Sequence, residues 1–362
     1  MTTEAKAAVR RYDHRVVQEV ARDIAVAAGV PREDANLLAG SLVDADLNGA
    51  STHGVSRLAV YIRRIQKGLI DPRAELKVEV RKAAVLVVDA GSGLGQVQAL
   101  KVLEMLFPLA AEYGVASATI RNSQHFGALS YYSALAAERD MILLAMTNCE
   151  PAMPPHGASE AFFGTNPIAA SFPTASGNPV TVDLATSVVA RGNIIAAARK
   201  GEAIPPGWAI DAEGNPTTDA EAALAGAVLP MAGHKGYALA VLVEALAGVL
   251  SGAAVGDRVG SMYKDLDRKQ DVGHFFCLLD VSAFMDVPVW TERIDAMVQG
   301  IKSRRKRPGV EEILVPGEPW QRAAARHRRE GVPIDERTYQ ELEGLCSEYG
   351  LTGVSGRALN GA

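Results

Sequence analysis

The sequence predicts a mixed α/β fold, of α/β or α+β type, in which a sheet covered by helices lies between helical segments from the two ends of the chain. From about residue 82, short β-branched runs (AAVLVV, VASATI, MILLAM, PIAASF, PVTVDL) alternate with helical patterns such as QALKVLEMLFPLAAEYG and LSYYSALAAERD. Before that point the texture is helical. HRVVQEVARDIAVAAGV, PREDANLLAGSLVDADLNG and THGVSRLAVYIRRIQKG carry apolar residues at three- and four-residue spacing, with Gly or Asn-Gly after the last turn and Pro31 suited to a first turn. After the strand-like HFFCLLDVSAF at 274–284 come VWTERIDAMVQGIKS and the Pro/Gly-rich RPGVEEILVPGEP, then QRAAARHRREG and ERTYQELEGLCSEYG, helical again. One lobe built from both termini (1–76 with 286–362) and a sheet lobe between them (77–285) are therefore expected.

A chain of 362 residues, 48% apolar and 22% charged, can bury a large core and fits two lobes better than one. A net charge of −5 gives no general field for nucleic acid or acidic membrane, and the one basic run, KSRRKR at 302–307, reads as a solvated face. Cys149, Cys277 and Cys346 are too far apart for a CxxC knuckle and odd in number, which fits a reducing cytoplasm. The start MTTEAKAAVRRYDHR has no apolar stretch of the kind that directs export. The run ALAVLVEALAGVLSGAAV at 238–255 nearly has the length of a membrane span, but Glu244 interrupts it, so a core helix is expected and no membrane association. None of the seven histidines pairs at a metal-ligand spacing, so no metal site is expected, and GxSxG is absent.

Residues 85–100, VLVVDAGSGLGQVQAL, imitate a dinucleotide-binding loop. The fingerprint needs a third glycine for close helix–strand packing and an acidic residue at the end of the next strand. Here the third place is Gln96, and the strand VASATI runs into Arg121 and Asn122. The cluster reads as a glycine turn.

Chemistry is expected elsewhere. In STHGVSRLAVY, with Ser51 or Thr52 as cap, His53, Arg57 and Tyr61 recur every four residues and would share one helix face. A guanidinium can grip a carboxylate, the helix start favours an anion, and the imidazole can exchange a proton beside it; an ordinary polar helix face reads equally well. His125 follows a strand and precedes a Gly-Ala turn, where catalytic side chains often point into a crevice, though a plain loop histidine is the alternative. The long loop TNCEPAMPPHGASEAFFGTNPIAASFP has backbone N–H groups that could receive phosphates.

Taken in order, DADLNGASTHGVSRLAVY, RNSQHFGALSYY, FGTNPIAASFP, VDLATSVVARG, PPGWAIDAEGNPTTD, GHKGYALAVLVEALAGVLSGA and EEILVPGE resemble the malate/L-lactate dehydrogenase family of the second type. That group includes ureidoglycolate, sulfolactate and diketogulonate oxidoreductases. The resemblance implies an α+β fold with a non-Rossmann cofactor lobe, a mixed, largely antiparallel sheet, a helical lobe made from both termini, and a homodimer. It implies NAD or NADP as cofactor and a small carboxylate as substrate, a 2-hydroxy or 2-oxo acid of malate, lactate, ureidoglycolate or sulfolactate type. Reduction of a cyclic imino acid is the alternative within the family; a nucleotide-binding protein without turnover is the alternative outside it.

By position, His125 matches a histidine described as proton acceptor in some members, and His53 one named as proton donor in others. Arg57 would bind the substrate carboxylate, with Thr52 and Tyr61 beside it. Cofactor positions would be Cys149; Gly164, Thr165, Asn166 and Pro167; Asp183, Leu184, Ala185 and Thr186; His234 and Lys235; and Pro316, Gly317 and Glu318. The chain departs from the family at Ala158 and Asn193, where glycine and lysine are frequent, and at Thr52, where serine is.

Overall fold

The computed structural model describes residues 10–358. Its main sheet has seven strands, in the spatial order Lys77–Lys82, Val85–Asp89, Val115–Ser123, Val272–Asp280, Met141–Thr147, Ile168–Phe172 and Val180–Leu184. Val85–Asp89 and Val115–Ser123 run parallel; every other neighbouring pair is antiparallel. The expected mixed, largely antiparallel sheet is thus observed, and the five β-branched runs all form strands.

The helix Gly95–Tyr113 crosses between the two parallel strands, and Leu129–Ala137 packs on Met141–Thr147 and Ile168–Phe172. Together they bury Leu103, Leu106 and Tyr132 against Leu143 and Phe276. The N-terminal helices His14–Ala27 and Arg32–Leu47 bury Val20, Ile24, Leu38 and Leu42 at the spacing read from the sequence. Their core also takes in Leu342 and Leu345 of the helix Glu336–Glu348, and strand Arg10–Tyr12 pairs antiparallel with Val332–Ile334. Both ends of the chain therefore share one apolar core. The helix Val287–Lys302 lies on the sheet instead: Trp290 Nε1 donates to the Pro173 carbonyl at 3.0 Å, and the helix borders an apolar cavity of about 410 Å³ over Phe172 and Val180.

Two expectations need correction. The apolar run at 238–255 is not a core helix throughout: the helix His234–Val243 passes into a π-helical segment, Glu244–Val249. It buries Ala240, Val243 and Ala247 but leaves Val241, Leu242, Val249 and Leu250 between 41% and 65% exposed, so only one of its faces meets the core. Among the described residues no helix is long and apolar enough to cross a membrane.

The second correction concerns residues 51–61. They form two short 3-10 turns, Ser51–His53 and Val55–Arg57, and an α-helix that starts only at Leu58. Neither Ser51 nor Thr52 caps a helix with its side chain. The break falls at Gly54, where a Cβ would lie 1.9 Å from Asp46 Oδ1, while Asp46 Oδ2 accepts from the Val55 N–H at 2.9 Å. A buried carboxylate is satisfied by a backbone amide, and the chain bends over it rather than winding straight into the helix.

Candidate active site

His53, Arg57, Tyr61 and His125 meet despite that break. The imidazoles of His53 and His125 are 5.7 Å apart, nearly parallel at 24°. Each has Nδ1 beside a hydroxyl: Thr52 Oγ1 lies 3.0 Å from His53 Nδ1, and the Tyr61 oxygen 2.7 Å from His125 Nδ1. Neither Nε2 atom has a hydrogen-bond partner among the described residues. The free nitrogens are the ones able to exchange a proton with a ligand.

Burial first, and the Arg57 guanidinium second, hold the His53 imidazolium down to a pKa of about 4. The helix start expected to favour an anion beside His53 is displaced by the break at Gly54, because the α-helix begins five residues later. His125 is pushed well below its ordinary value by burial, then by His53, Arg57 and His274. Both rings are neutral near pH 7.

Arg57 donates from Nε to the Thr52 carbonyl and from Nη1 to the Tyr263 hydroxyl, its guanidinium lying 5.4 Å from that ring's centre. The loop carrying Tyr263 is fixed from below by the fully buried Arg64, which donates to the carbonyls of Asp265 and Arg268. Thr52 reaches the next segment: a Cβ at Gly192 would lie 3.2 Å from its methyl. The methyl that distinguishes threonine from serine is the group that packs there.

The glycine cluster bears on the site through packing. Residues 90–94 form the turn between Val85–Asp89 and Gly95–Tyr113, with Gly91 at φ 62°. A Cβ at Gly95 would lie 2.4 Å from the Gln124 carbonyl oxygen and 2.6 Å from that of His125, so the helix start presses on the His125 loop. Gln96, fully buried, donates from Nε2 to the Tyr61 hydroxyl at 2.9 Å. Behind the loop, Phe126 stacks on His274 with ring centres 3.9 Å apart.

Most of the expected cofactor positions gather at one end of the hairpin formed by Ile168–Phe172 and Val180–Leu184, whereas Pro316 and Gly317 lie against Thr181, nearer its other end. The register pairs Ile168 with Leu184, so Gly164 to Pro167 enter the hairpin where Ala185 and Thr186 leave it. The Thr165 carbonyl accepts from both the amide and the hydroxyl of Thr186, at 2.8 and 3.0 Å. Cys149 packs against the turn, its Sγ 3.6 Å from Thr165 Oγ1, and burial pushes its thiol up. His234 and Lys235 are exposed in the first turn of their helix, which touches this end of the hairpin: a Cβ at Gly236 would lie 2.5 Å from the Thr186 carbonyl oxygen.

Two assignments differ from a simple ligand role. The Asp183 carboxylate accepts from the Ser130 N–H at 2.8 Å, which anchors the helix following His125. Glu318 is paired with Lys302 at 2.7 Å and with Arg322, so it is tied within the protein; the rest of the basic run is exposed. Glu244, read only as a charge within an apolar run, is a buried tie missed at the sequence level. It accepts from Asn148, from Asn166 at 2.7 Å and from the Gly256 N–H, and so holds the turn at Asn166, whose φ is +35°. The available signal was the carboxylate itself, which has to find partners when buried.

A nicotinamide dinucleotide fits these surroundings. Asp183, Leu184, Pro316 and Gly317 border one cavity of about 560 Å³ that also has Trp320 in its wall. Gly317, at φ 90°, packs closely on Thr181, from which a Cβ would lie only 3.0 Å, so glycine is what this turn requires. The buried Asn166 Oδ1 is without a partner among the described residues. Among those residues, no cluster of His, Cys, Asp or Glu could hold a metal ion.

Acid should destabilise this arrangement in a way that can be assigned. His274, fully buried between Thr147 Oγ1 and Ser123 Oγ, each 2.8 Å away, is pushed down by burial to a pKa of about 3. The unfolded chain takes up this proton near pH 6.5, before the folded one does, so the stability His274 contributes is present above pH 6.5 and lost as pH falls towards 3. At about 1.4 kcal/mol per unit the loss is on the order of 5 kcal/mol. A His274→Gln variant should be less stable than the parent at neutral pH and show a smaller fall in Tm between pH 6.5 and 4. Parallel Tm curves would show that His274 does not titrate on unfolding.

An oxidoreductase outside the Rossmann class is what this fold, with its paired-histidine site, points to. The family model described as malate/L-lactate dehydrogenase matches residues 12–343, and the chain belongs to that family. It is 40% identical over 331 residues to the L-sulfolactate dehydrogenase of Methanocaldococcus jannaschii, covering 91% of this chain and 94% of that one. The solved structure of the sulfolactate dehydrogenase from that organism superposes with a TM-score of 0.89 at 37% identity, covering 96% of this chain and 99% of the other. A (2R)-3-sulfolactate dehydrogenase (NADP(+)) of Chromohalobacter salexigens is 36% identical, over 89% of this chain and 95% of its own length. A ureidoglycolate dehydrogenase (NAD(+)) of Escherichia coli is 33% identical, over 87% and 90%.

Proposed function

We propose that His125 exchanges the proton at the substrate oxygen while a small 2-hydroxy acid and its 2-oxo acid are interconverted, with Arg57 holding the carboxylate and His53 orienting the reacting group. The enzyme is an NAD(P)-dependent dehydrogenase of 2-hydroxy acids, of sulfolactate, malate, lactate or ureidoglycolate type. The observation that carries the residue assignment is the His125 ring, fixed at Nδ1 by Tyr61 and open at Nε2, beside His53 and near Arg57. When bound, the nicotinamide supplies or takes up the hydride at the carbon bearing the oxygen. Residues 164–167, 183–186 and 316–318, with Cys149, His234 and Lys235, hold it in this reading, the carboxylates of Asp183 and Glu318 acting through their protein partners. Tyr61 orients His125, and Thr52 orients His53.

The same reading divides the chain into a helical lobe of 1–76 with 286–362, on the substrate side, from which Val287–Lys302 reaches over to the sheet, and a cofactor lobe of 77–285. It makes the protein a cytoplasmic homodimer. The exposed Val241, Leu242, Val249 and Leu250 support the dimer, because they form an apolar face of the kind that a second copy covers.

The test is consumption of NADH and NADPH with a panel of 2-oxo acids, cyclic imino acids and simple ketones. A small 2-oxo acid should be reduced, and ketones lacking the carboxylate should not. Reduction of a cyclic imino acid alone would move the enzyme to that reaction, and no consumption with any compound would make it a nucleotide-binding protein without turnover.

A further inference from the structure

We infer that Gln96 is a positioning residue for proton transfer: through the Tyr61 hydroxyl, the end of its amide that faces Tyr61 decides which nitrogen of His125 carries the proton. The inference rests on the reading of His125 as the proton-exchanging group. Gln96 is fully buried, Tyr61 is 1% exposed, and the three polar groups form a line, Gln96 Nε2 to the Tyr61 oxygen at 2.9 Å and that oxygen to His125 Nδ1 at 2.7 Å. Gln96 Oε1 is buried with no partner among the described residues. The amide therefore has one engaged end and one idle end, and a half-turn exchanges them.

Counting protons gives each setting a consequence. With the amide nitrogen towards Tyr61, as in the structure, its N–H occupies the phenol oxygen and the phenol O–H is left to donate to His125 Nδ1. That nitrogen is then bare, the ring proton sits on Nε2, and Nε2 has no lone pair with which to take a hydroxyl proton. With Oε1 towards Tyr61, the phenol donates to the amide and accepts from Nδ1–H, which leaves Nε2 as a base. In that setting the substrate O–H bond breaks and an Nε2–H bond forms, the imidazolium keeps its Nδ1–H bond to Tyr61, and the electron pair leaves carbon as the hydride of the dehydrogenase reaction. The reverse step returns the Nε2 proton to the oxygen of the 2-oxo acid. Tyr61 only holds its proton throughout, because burial pushes its ionisation well above the ordinary value. The ring is neutral at rest, so its tautomer decides whether it can act.

The local sequence supports the role. Gly95 lets the helix start touch the His125 loop, which brings the next residue under Tyr61, and glutamine offers both a donor and an acceptor at one place. An apolar residue of the same length, such as methionine, would fill the space equally well.

The test is the ¹⁵N spectrum of histidine-labelled protein, with His125 assigned from a His125→Gln variant, together with turnover of Gln96→Met, Tyr61→Phe and the double variant. In the parent with NAD(P) bound, His125 should show the Nδ1–H tautomer, the productive setting reached by a half-turn of the Gln96 amide, and a mixture in both single variants. Turnover should fall about tenfold or more in each single variant with KM little changed, and the double variant should be no slower than the slower single one, since the two residues act as one unit. An unchanged tautomer in both variants, or losses that multiply, would overturn the inference. Thermal melts identify a variant that merely unfolds, in which case the Tyr61→Phe spectrum decides. If His125→Gln keeps its turnover, the reading of His125 fails instead, and the tautomer spectra still decide what Gln96 does.

Discussion

Replacing His125 by glutamine should lower turnover about a hundredfold or more and remove one limb of the pH–rate profile, the size expected for loss of a positioned acid/base group. Glutamine keeps much of the bulk and a hydrogen bond towards Tyr61 but cannot exchange a proton. His53→Gln should lower affinity as well as turnover and leave that limb in place, because in this reading His53 orients the substrate rather than carrying its proton. The position of the limb is a second check. In the free protein burial and the nearby Arg57 charge hold His125 well below its ordinary pKa, so the limb of kcat/KM should lie in the acid range. A bound carboxylate offsets the guanidinium, so the limb of kcat should lie at higher pH. A limb that survives His125→Gln and disappears with His53→Gln would give the proton to His53.

The two histidines were visible in the sequence; the way they meet was not. The four-residue recurrence of His53, Arg57 and Tyr61 marked residues that do lie together, but the pattern was read as one helix face when the structure bends at Gly54. The cause of the bend is Asp46, a tertiary neighbour with no local signal. The strands were legible because β-branched residues cluster in them. Their order was not, since Val272–Asp280 enters between Val115–Ser123 and Met141–Thr147 from far along the chain. Gln96 was noticed only as the residue that spoils a dinucleotide fingerprint, and Glu244 only as a charge in an apolar run. Both gain meaning through partners distant in sequence, Tyr61 for one and Asn148 and Asn166 for the other. The glycine cluster was read as a turn rather than a Rossmann loop on the missing third glycine, and a turn between strand and helix is what it forms. Its use in pressing a helix start against the His125 loop could be seen only in three dimensions.

Arg57→Ala should cost about 2–4 kcal/mol in transition-state binding, seen as a fall in kcat/KM for the acid of about thirty- to a thousandfold. The guanidinium is held at Nε by the Thr52 carbonyl and at Nη1 by Tyr263, which leaves Nη2 without a partner among the described residues. An incoming carboxylate can take Nη2 at once and Nη1 when the Tyr263 hydroxyl yields, which gives the two-pronged contact that a lysine cannot copy. Arg57→Lys should therefore recover only part of the loss. The alanine variant also removes a positive charge near both histidines, so the acid limb assigned to His125 should move to higher pH even as the rate falls. That shift separates a charge effect at the site from simple damage to the fold, which would not move the limb in a set direction. An uncharged substrate analogue, such as the corresponding 2-oxo amide, gives the last control: Arg57→Ala should change its kcat/KM much less than that of the acid. Equal losses for acid and amide, or an unchanged KM and rate for the acid, would remove Arg57 from the carboxylate site.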